Sequence, residues 1–162
     1  MKKHPTGRAE ANYLLDTCVL SELIRSAPDD NVLRWLEKRE VFELYTSAMT
    51  LAELKRGVER LPSSRRQSAL NEWIQQLENR FEGRVLPFDT KAAQAWAKIT
   101  VHAETQGKPL AAFDSIIAAT ALANNCRVVT RNTRDFVHCG VGLINPWITS
   151  PTHTQQHTGD TR

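Results

Sequence analysis

The sequence predicts an α/β protein, a three-layer α/β/α sandwich with a central parallel sheet of four to five strands. Short apolar segments alternate along the chain with longer segments whose apolar residues recur at three- and four-residue spacing. That alternation is typical of parallel strands joined by crossover helices, which cover both faces of the sheet. The chain has 162 residues, of which 41% are hydrophobic, so we expect one domain with its own core.

The predicted strands and helices follow one another in a regular order. Apolar runs predict strands at residues 12–15, 42–45, 84–86, 127–129 and 142–144. Helical spacing and helix-start residues predict helices between them, at 17–25, 31–39, 50–60, 90–106 and 113–124, with one more after Pro62. That last helix carries an amphipathic stripe of Leu70, Trp73, Ile74 and Leu77.

The two ends of the chain differ in composition from the middle. Residues 1–11 and 149–162 are polar, and we expect both to be disordered tails around a domain at 12–148. No apolar stretch is long enough to span a membrane, and no secretory signal opens the chain. Cys18, Cys126 and Cys139 form an odd set without metal-ligand spacing, which predicts free thiols and a cytoplasmic location.

Acidic residues stand where predicted strands end. Asp16 follows the first strand, Glu53 comes soon after the second and Asp135 follows the fourth. Asp114 begins the nearly apolar helix that leads into the fourth strand. Because ligand sites of such sheets lie outside the carboxyl ends of the strands, we expect these four acids to converge at one edge.

Each acid also has a local explanation that the sequence leaves open. Asp16 can cap the helix after it, and Glu53 matches a capping box that begins at Thr50. Asp114 is favoured by the dipole at a helix start, and Asp135 can pair with a neighbouring arginine.

If the acids do converge, their chemistry favours a hard cation. Several carboxylates in one small site repel each other unless a divalent ion compensates them, and an all-oxygen site suits Mg²⁺, with Mn²⁺ as a substitute. Residues 55–66 carry a strong local excess of arginine and lysine, which is either a solvated helical hairpin or a rim that contacts phosphates. An acidic metal site beside a basic rim predicts phosphodiester chemistry.

Several motifs of the chain resemble those of the PIN domain, most closely those of VapC/FitB-type toxins from bacterial toxin–antitoxin pairs. The resemblance covers about residues 12–148 and rests on Leu15-Asp16-Thr17, Thr50-Leu51-Ala52-Glu53-Leu54 with Gly57, Phe113-Asp114 with Ile116-Ile117-Ala118-Ala119-Thr120-Ala121, Val129-Thr130-Arg131-Asn132 with Asp135-Phe136, and Asn145-Pro146-Trp147. It implies an α/β/α sandwich, Mg²⁺-dependent endoribonuclease activity on RNA and a cognate antitoxin that blocks the site. It also places the family's acids on Asp16, Glu53 and Asp114. We further expect a homodimer.

The chain departs from this pattern at two positions. Cys18 stands where the family often has Asn, and Asn132 stands where the fourth family acid can sit. The sequence leaves open whether Asn132 or Asp135 fills the fourth position of the metal site, or whether the fourth acid is absent as a direct ligand. Asn145 to Trp147 match the end of the family pattern.

The resemblance and the strand-end acids together predict a role for each site residue. Asp16 and Asp114 would bind Mg²⁺, Glu53 would complete the site or orient the attacking water, and Asp135 would act through a water ligand. The candidate substrate-binding residues are Thr17, Thr130, Asn132, Arg131, Lys55 and Arg56. We expect the antitoxin to insert near the basic hairpin of residues 55–66.

Two other functions remain open at this point. A housekeeping RNA-processing nuclease would keep the fold and the chemistry without the toxin role. A non-catalytic phosphoacceptor or binding module would use the same acidic cluster without cleaving RNA.

Overall fold

Five parallel strands form the centre of the protein in a computed structural model that describes residues 11–148. The strands are β1 (Asn12–Leu15), β2 (Leu44–Ser47), β3 (Val85–Leu86), β4 (Cys126–Val129) and β5 (Leu143–Ile144). They lie in the order β3-β2-β1-β4-β5, and every neighbouring pair is parallel. The predicted fold class is confirmed.

Seven helices connect and cover these strands in the described part of the chain. They are α1 (Thr17–Glu22), α2 (Asp30–Glu37), α3 (Ala48–Glu59), α4 (Arg65–Arg80), α5 (Thr90–Thr105), α6 (Ala112–Ala123) and α7 (Thr133–Phe136). None of the helices within residues 11–148 is long and apolar enough to cross a membrane. The predicted tails, apart from Ala11, lie outside the described residues.

The strand order places a topological switch point at β1. Leu14 is in register with Tyr45 of β2 on one side and with Val128 of β4 on the other. The chain winds outward from β1 to β2 and β3, and then returns to the opposite side to form β4 and β5. Loops at the carboxyl ends of β1 and β4 therefore diverge from each other, which opens a crevice where such sheets bind ligands.

The two faces of the sheet carry separate hydrophobic cores because successive strand residues point to opposite faces. Tyr13 and Leu15 pack in one core and Leu14 in the other. The first core is completed mainly by helices α1 to α4, through Val19, Val32, Leu54, Ile74 and Leu77. The second is completed mainly by helices α6 and α7, through Ile117, Ala118, Ala121 and Phe136.

The predicted second strand and third helix both begin at the wrong residue. Val41 to Glu43 form a turn of 3₁₀ helix, and the side chains of Val41 and Phe42 are exposed, so β2 starts only at Leu44. Helix α3 then starts at Ala48 with Ser47 as its N-cap, because the Ser47 hydroxyl accepts a hydrogen bond from the backbone N–H of Thr50 at 3.0 Å. The expected capping box at Thr50 is wrong, since Thr50 lies inside the helix.

Candidate acidic site

Asp16 occupies the end of β1, and its side chain is 5% exposed. One carboxylate oxygen accepts from the backbone N–H of Thr17 at 2.8 Å, so Asp16 does cap α1 as the local alternative expected. The other oxygen accepts from the Thr130 hydroxyl, also at 2.8 Å. Burial raises the pKa of Asp16, and the charge of Asp135 contributes in the same direction. The cap therefore also holds the carboxylate at the sheet edge.

Glu53 lies in the second turn of α3 and points across the sheet edge. Its Oε2 atom accepts a hydrogen bond from the Thr17 hydroxyl at 2.6 Å. Thr17 and Glu53 belong to elements that follow neighbouring strands, and 36 positions separate them in the chain. Glu53 is therefore part of the same edge as Asp16, and helix capping does not explain its position.

Asp114 lies in the first turn of α6 and is partly buried. Desolvation raises its pKa from 3.8 to about 6, and the charges of Asp135, Asp16 and Glu53 add to the shift in that order. The influence of these three carboxylates on Asp114 indicates that the four predicted acids lie within electrostatic range of one another. The four acids thus lie toward one edge of the sheet, and their convergence on a metal stays a prediction.

The acidic neighbourhood has no basic partner within the described residues. No Lys, Arg or His side chain of residues 11–148 forms an ion pair with Asp16, Glu53, Asp114 or Asp135, so the alternative of an Asp135–arginine pair does not describe these residues. As they stand, no three His, Cys, Asp or Glu side chains in this part of the chain are grouped closely enough to hold a metal ion. The acids lie near one another, but their side chains do not converge on one common position that an ion could occupy.

The chemistry of this donor set fits a hard divalent cation. The groups are carboxylates, the ligands that Mg²⁺ and Mn²⁺ prefer, and zinc-type nitrogen and sulfur ligands do not dominate the site. Burial is the main cause of the raised pKa of Asp114, and the charges of three other carboxylates add to it, so a nearby cation would relieve that part of the shift. Asp16 and Asp114 remain the predicted ligands of such an ion, with Glu53 and Asp135 as the other predicted acids of the site.

Thr130 and Asn132 belong to the turn that closes this site after β4. The Thr130 hydroxyl donates to Asp16 and accepts a hydrogen bond from the backbone N–H of Asn132 at 3.0 Å. Asn132 is exposed at the start of α7, three residues before Asp135. Both residues therefore border the acids, as the sequence predicts.

Arg131 lies in the same turn, but its side chain is turned away to other partners. One guanidinium nitrogen lies 3.3 Å from the carboxylate of Glu22, and the guanidinium stacks 4.5 Å from the centre of the Trp147 ring. Its backbone N–H donates to the sulfur of Cys18 at 3.3 Å. These contacts assign Arg131 a role in holding the turn in place.

Glu22 is the residue of this region that sequence reasoning missed. Its side chain is 3% exposed and also accepts a hydrogen bond from the backbone N–H of Asp29 at 2.8 Å. An exposed arginine, Arg25, is its second ionic partner at 3.5 Å. The sequence did contain a signal for Glu22, because it is an acid in a helix of otherwise mostly apolar or small residues. Its partner Arg131, however, is 109 positions away in the chain and is identified only by the contact between the two side chains.

The side chains of Lys55 and Arg56 point to different sides of α3. Residues two apart point in nearly opposite directions on a helix, whereas residues three apart share a face. Lys55 accordingly points away from Glu53 and contacts Asn71 and Glu59. Arg56 lies on the Glu53 side, with its guanidinium 6.0 Å from the centre of the Phe113 ring, next to Asp114. Only Arg56 of this pair is brought toward the acidic site.

An apolar groove of about 250 Å³ runs between α1, α3 and α4 and reaches the acidic site. Thr17 and Glu53, the hydrogen-bonded pair described above, belong to its lining. The apolar part of the lining comes from Ile24, Leu54, Val58, Leu61, Leu70, Trp73 and Ile74. The groove thus joins a hydrophobic surface to the carboxylates.

A parallel sheet with carboxylates gathered at its switch point defines the class of α/β proteins that bind a ligand at the carboxyl edge of the strands. Residues 13–140 match the model of the PIN domain, and the chain belongs to this family. The resemblance noted in the sequence is thereby confirmed.

Individual relatives are similar over most of their length. The toxin FitB of Neisseria gonorrhoeae is 42% identical over 135 residues, which are 83% of this chain and 97% of that protein. The VapC ribonuclease Y4jK of Sinorhizobium fredii is 39% identical over 83% of this chain and 96% of its own. A structure of FitAB bound to a DNA fragment superposes with a TM-score of 0.80 at 39% identity, covering 87% of this chain and 99% of that one.

Proposed function

We propose that this protein is a Mg²⁺-dependent endoribonuclease and the toxin of a toxin–antitoxin pair. The observation that carries the proposal is the group of four carboxylates, without a basic partner in residues 11–148, at the switch point of a PIN-domain sheet. The names of the relatives, a toxin and a ribonuclease, support the activity and the biological role. The reaction belongs in the cytoplasm, where the three free thiols of the chain stay reduced.

The chain's own residues divide the hydrolysis of a phosphodiester bond among them. Asp16 and Asp114 would hold the cation, which would supply positive charge at the reacting phosphate and lower the pKa of water. The Thr17 hydroxyl fixes one oxygen of Glu53, and the other oxygen is left to orient the attacking water and take its proton. Asp135, with Asn132, would act on the cation through a water molecule.

Hydrolysis by purified protein tests the enzymatic part of the proposal. Labelled single-stranded RNA should be cut with Mg²⁺ and remain intact with EDTA. Asp16→Asn should abolish cleavage, whereas Asp30→Asn, which changes an exposed acid of α2, should not. Cleavage by Asp16→Asn at the wild-type rate would contradict the proposed site, and binding without cleavage would favour the non-catalytic binding module.

The apolar groove is the proposed docking surface for the antitoxin. It lies beside the basic hairpin of residues 55–66 and ends at Glu53, so an amphipathic helix can fill it while presenting a basic side chain to the acids. The similarity to the structure of FitAB bound to a DNA fragment supports a toxin that works together with a partner. A bound antitoxin would inhibit RNA cleavage because it would occupy the edge of the sheet at which the RNA must bind.

Co-expression with the product of a small adjacent gene tests this docking surface. Ile24→Asp places a charge in the groove and should prevent co-purification, so that RNA cleavage continues in the partner's presence. Val101→Asp introduces the same charge at an exposed apolar residue of α5 and should leave the complex intact. Growth unaffected by expression of the protein alone would instead favour a housekeeping nuclease.

A further inference from the structure

A second cleft, of about 480 Å³, lies between α5 and the segment that follows α7. We call it the basic cleft. Its charged and polar lining consists of Lys98, His102, Gln106, Lys108 and His138. No Asp or Glu of the described residues lines it.

The basic groups of this cleft have no partner within residues 11–148. Lys98 and Lys108 form no ion pair there, and neither they nor the rings of His102 and His138 make a hydrogen bond. Two ammonium groups that share a cleft repel each other unless an anion lies between them. The cleft therefore has the charge and the free donors to receive an anionic ligand.

The end of α7 separates the basic cleft from Asp135 of the acidic site. Asp135 lies in this helix, and Val137, two residues later, belongs to the cleft, so their Cα atoms are within about 7 Å of each other. Cys139 belongs to the wall of the cleft, where burial raises its thiol pKa to about 11 and the charge of Asp114 adds to the shift. The two sites are therefore near neighbours in the fold, a separation that one extended ligand could span.

We propose that the basic cleft binds the sugar–phosphate backbone of the RNA strand on one side of the scissile bond. This inference rests on the proposed ribonuclease function and extends it to a substrate subsite. A nucleic-acid backbone carries evenly repeated negative charges, so it can bridge a cationic cleft and a cation-dependent acidic site along one strand. Lys98 and Lys108 contact phosphates without reading bases, so the subsite contributes affinity for any sequence.

Salt-dependent binding of a labelled single-stranded RNA, measured in EDTA so that it stays intact, tests the subsite. Loss of two phosphate contacts in Lys98→Gln/Lys108→Gln should weaken binding of every RNA sequence tried and make the slope of log affinity against log salt shallower by about 1.4. The matched control is Arg34→Gln/Lys38→Gln, which removes the same charge beside another cleft, on α2. We expect the control to keep the wild-type slope.

Three outcomes would overturn the inference. If the Lys98/Lys108 variant is folded, as judged by its thermal midpoint, and keeps the wild-type slope, these lysines do not contact the RNA. If both variants change the slope equally, the effect comes from net charge and not from the cleft. Loss of self-association in place of RNA binding assigns the cleft to a second copy of the chain. Cleavage of RNA by the wild-type protein with Mg²⁺ separates these outcomes from failure of the proposed function. The protein can cleave RNA even if the basic cleft does not bind it.

Discussion

Asp114 is the residue at which the catalytic and the purely structural interpretations differ most clearly. Asp114→Asn keeps the shape of the side chain and removes one negative charge from a group of four. If Asp114 helps to hold the cation, RNA cleavage should fall by orders of magnitude while the thermal midpoint in EDTA stays equal or rises. If it only interacts with the helix dipole, cleavage persists and stability falls by at most about 1 kcal/mol. Cleavage and melting assays on the same preparation decide between the two.

The pKa of Asp114 also predicts how stability depends on pH without metal. Folding raises this pKa from 3.8 to about 6, so between these values the folded protein holds a proton that the unfolded chain has lost. This contribution to stability is therefore full below about pH 4 and lost as pH rises through 6. Because Asp114 is only partly buried, solvent screening limits the effect to about 1 kcal/mol. Urea denaturation in EDTA at pH 5 and 7.5 should show wild type losing more stability than Asp114→Asn; parallel losses would contradict this.

Substitution of Glu22 should affect stability, since Glu22 holds the turn beside the acidic site and does not face the four acids. Glu22→Gln keeps the volume but weakens the bonds to Arg131 and to the Asp29 N–H, and should cost roughly 1–2 kcal/mol. The matched control is Arg25→Gln, which removes the exposed partner of the same carboxylate and should cost less than about 1 kcal/mol. Chemical denaturation measures both, and equal costs would mean that Arg131 is not held by this contact.

Helix α3 shows how the start of an element sets the direction of a functional side chain. Ser47 caps this helix, and we expect the cap to set the rotation that turns Glu53 toward Thr17. Ser47→Ala should cost about 1 kcal/mol of stability and also reduce RNA cleavage. Ser64→Ala removes the corresponding cap of α4, which carries none of the four acids, and should cost similar stability without the loss of cleavage. Equal cleavage by both variants would show that Glu53 is positioned independently of the cap.

At the scale of the whole molecule, the acidic site should couple metal binding to stability. An ion that binds only the folded protein stabilises it by about 1.4 kcal/mol at ten times its dissociation constant. For a protein of this size that corresponds to a rise of several degrees in the thermal midpoint. Mg²⁺ should produce this rise in wild type and a smaller one in Asp114→Asn. NaCl at matched ionic strength is the control, and an equal rise with NaCl would indicate general screening in place of a site.

Much of this protein is determined by local sequence alone. Alternating apolar periodicities predict the parallel sheet and most of its helices, because strand and helix spacing are properties of neighbouring residues. The position of Asp16 after β1 and of Asp114 at the start of α6 follows from the same local pattern. The edge at which the acids meet then follows from the general geometry of parallel sheets.

Other features depend on contacts between residues far apart in the chain, and only the tertiary structure decides them. The start of α3 depends on a competition between two caps, Ser47 and Thr50, which the sequence alone resolved wrongly. Arg131 binds Glu22 across 109 positions, so its predicted role as a substrate contact could not be weighed against that ion pair beforehand. The basic cleft likewise forms only when α5 packs beside the segment after α7, because its lysines and histidines have no shared pattern along the chain.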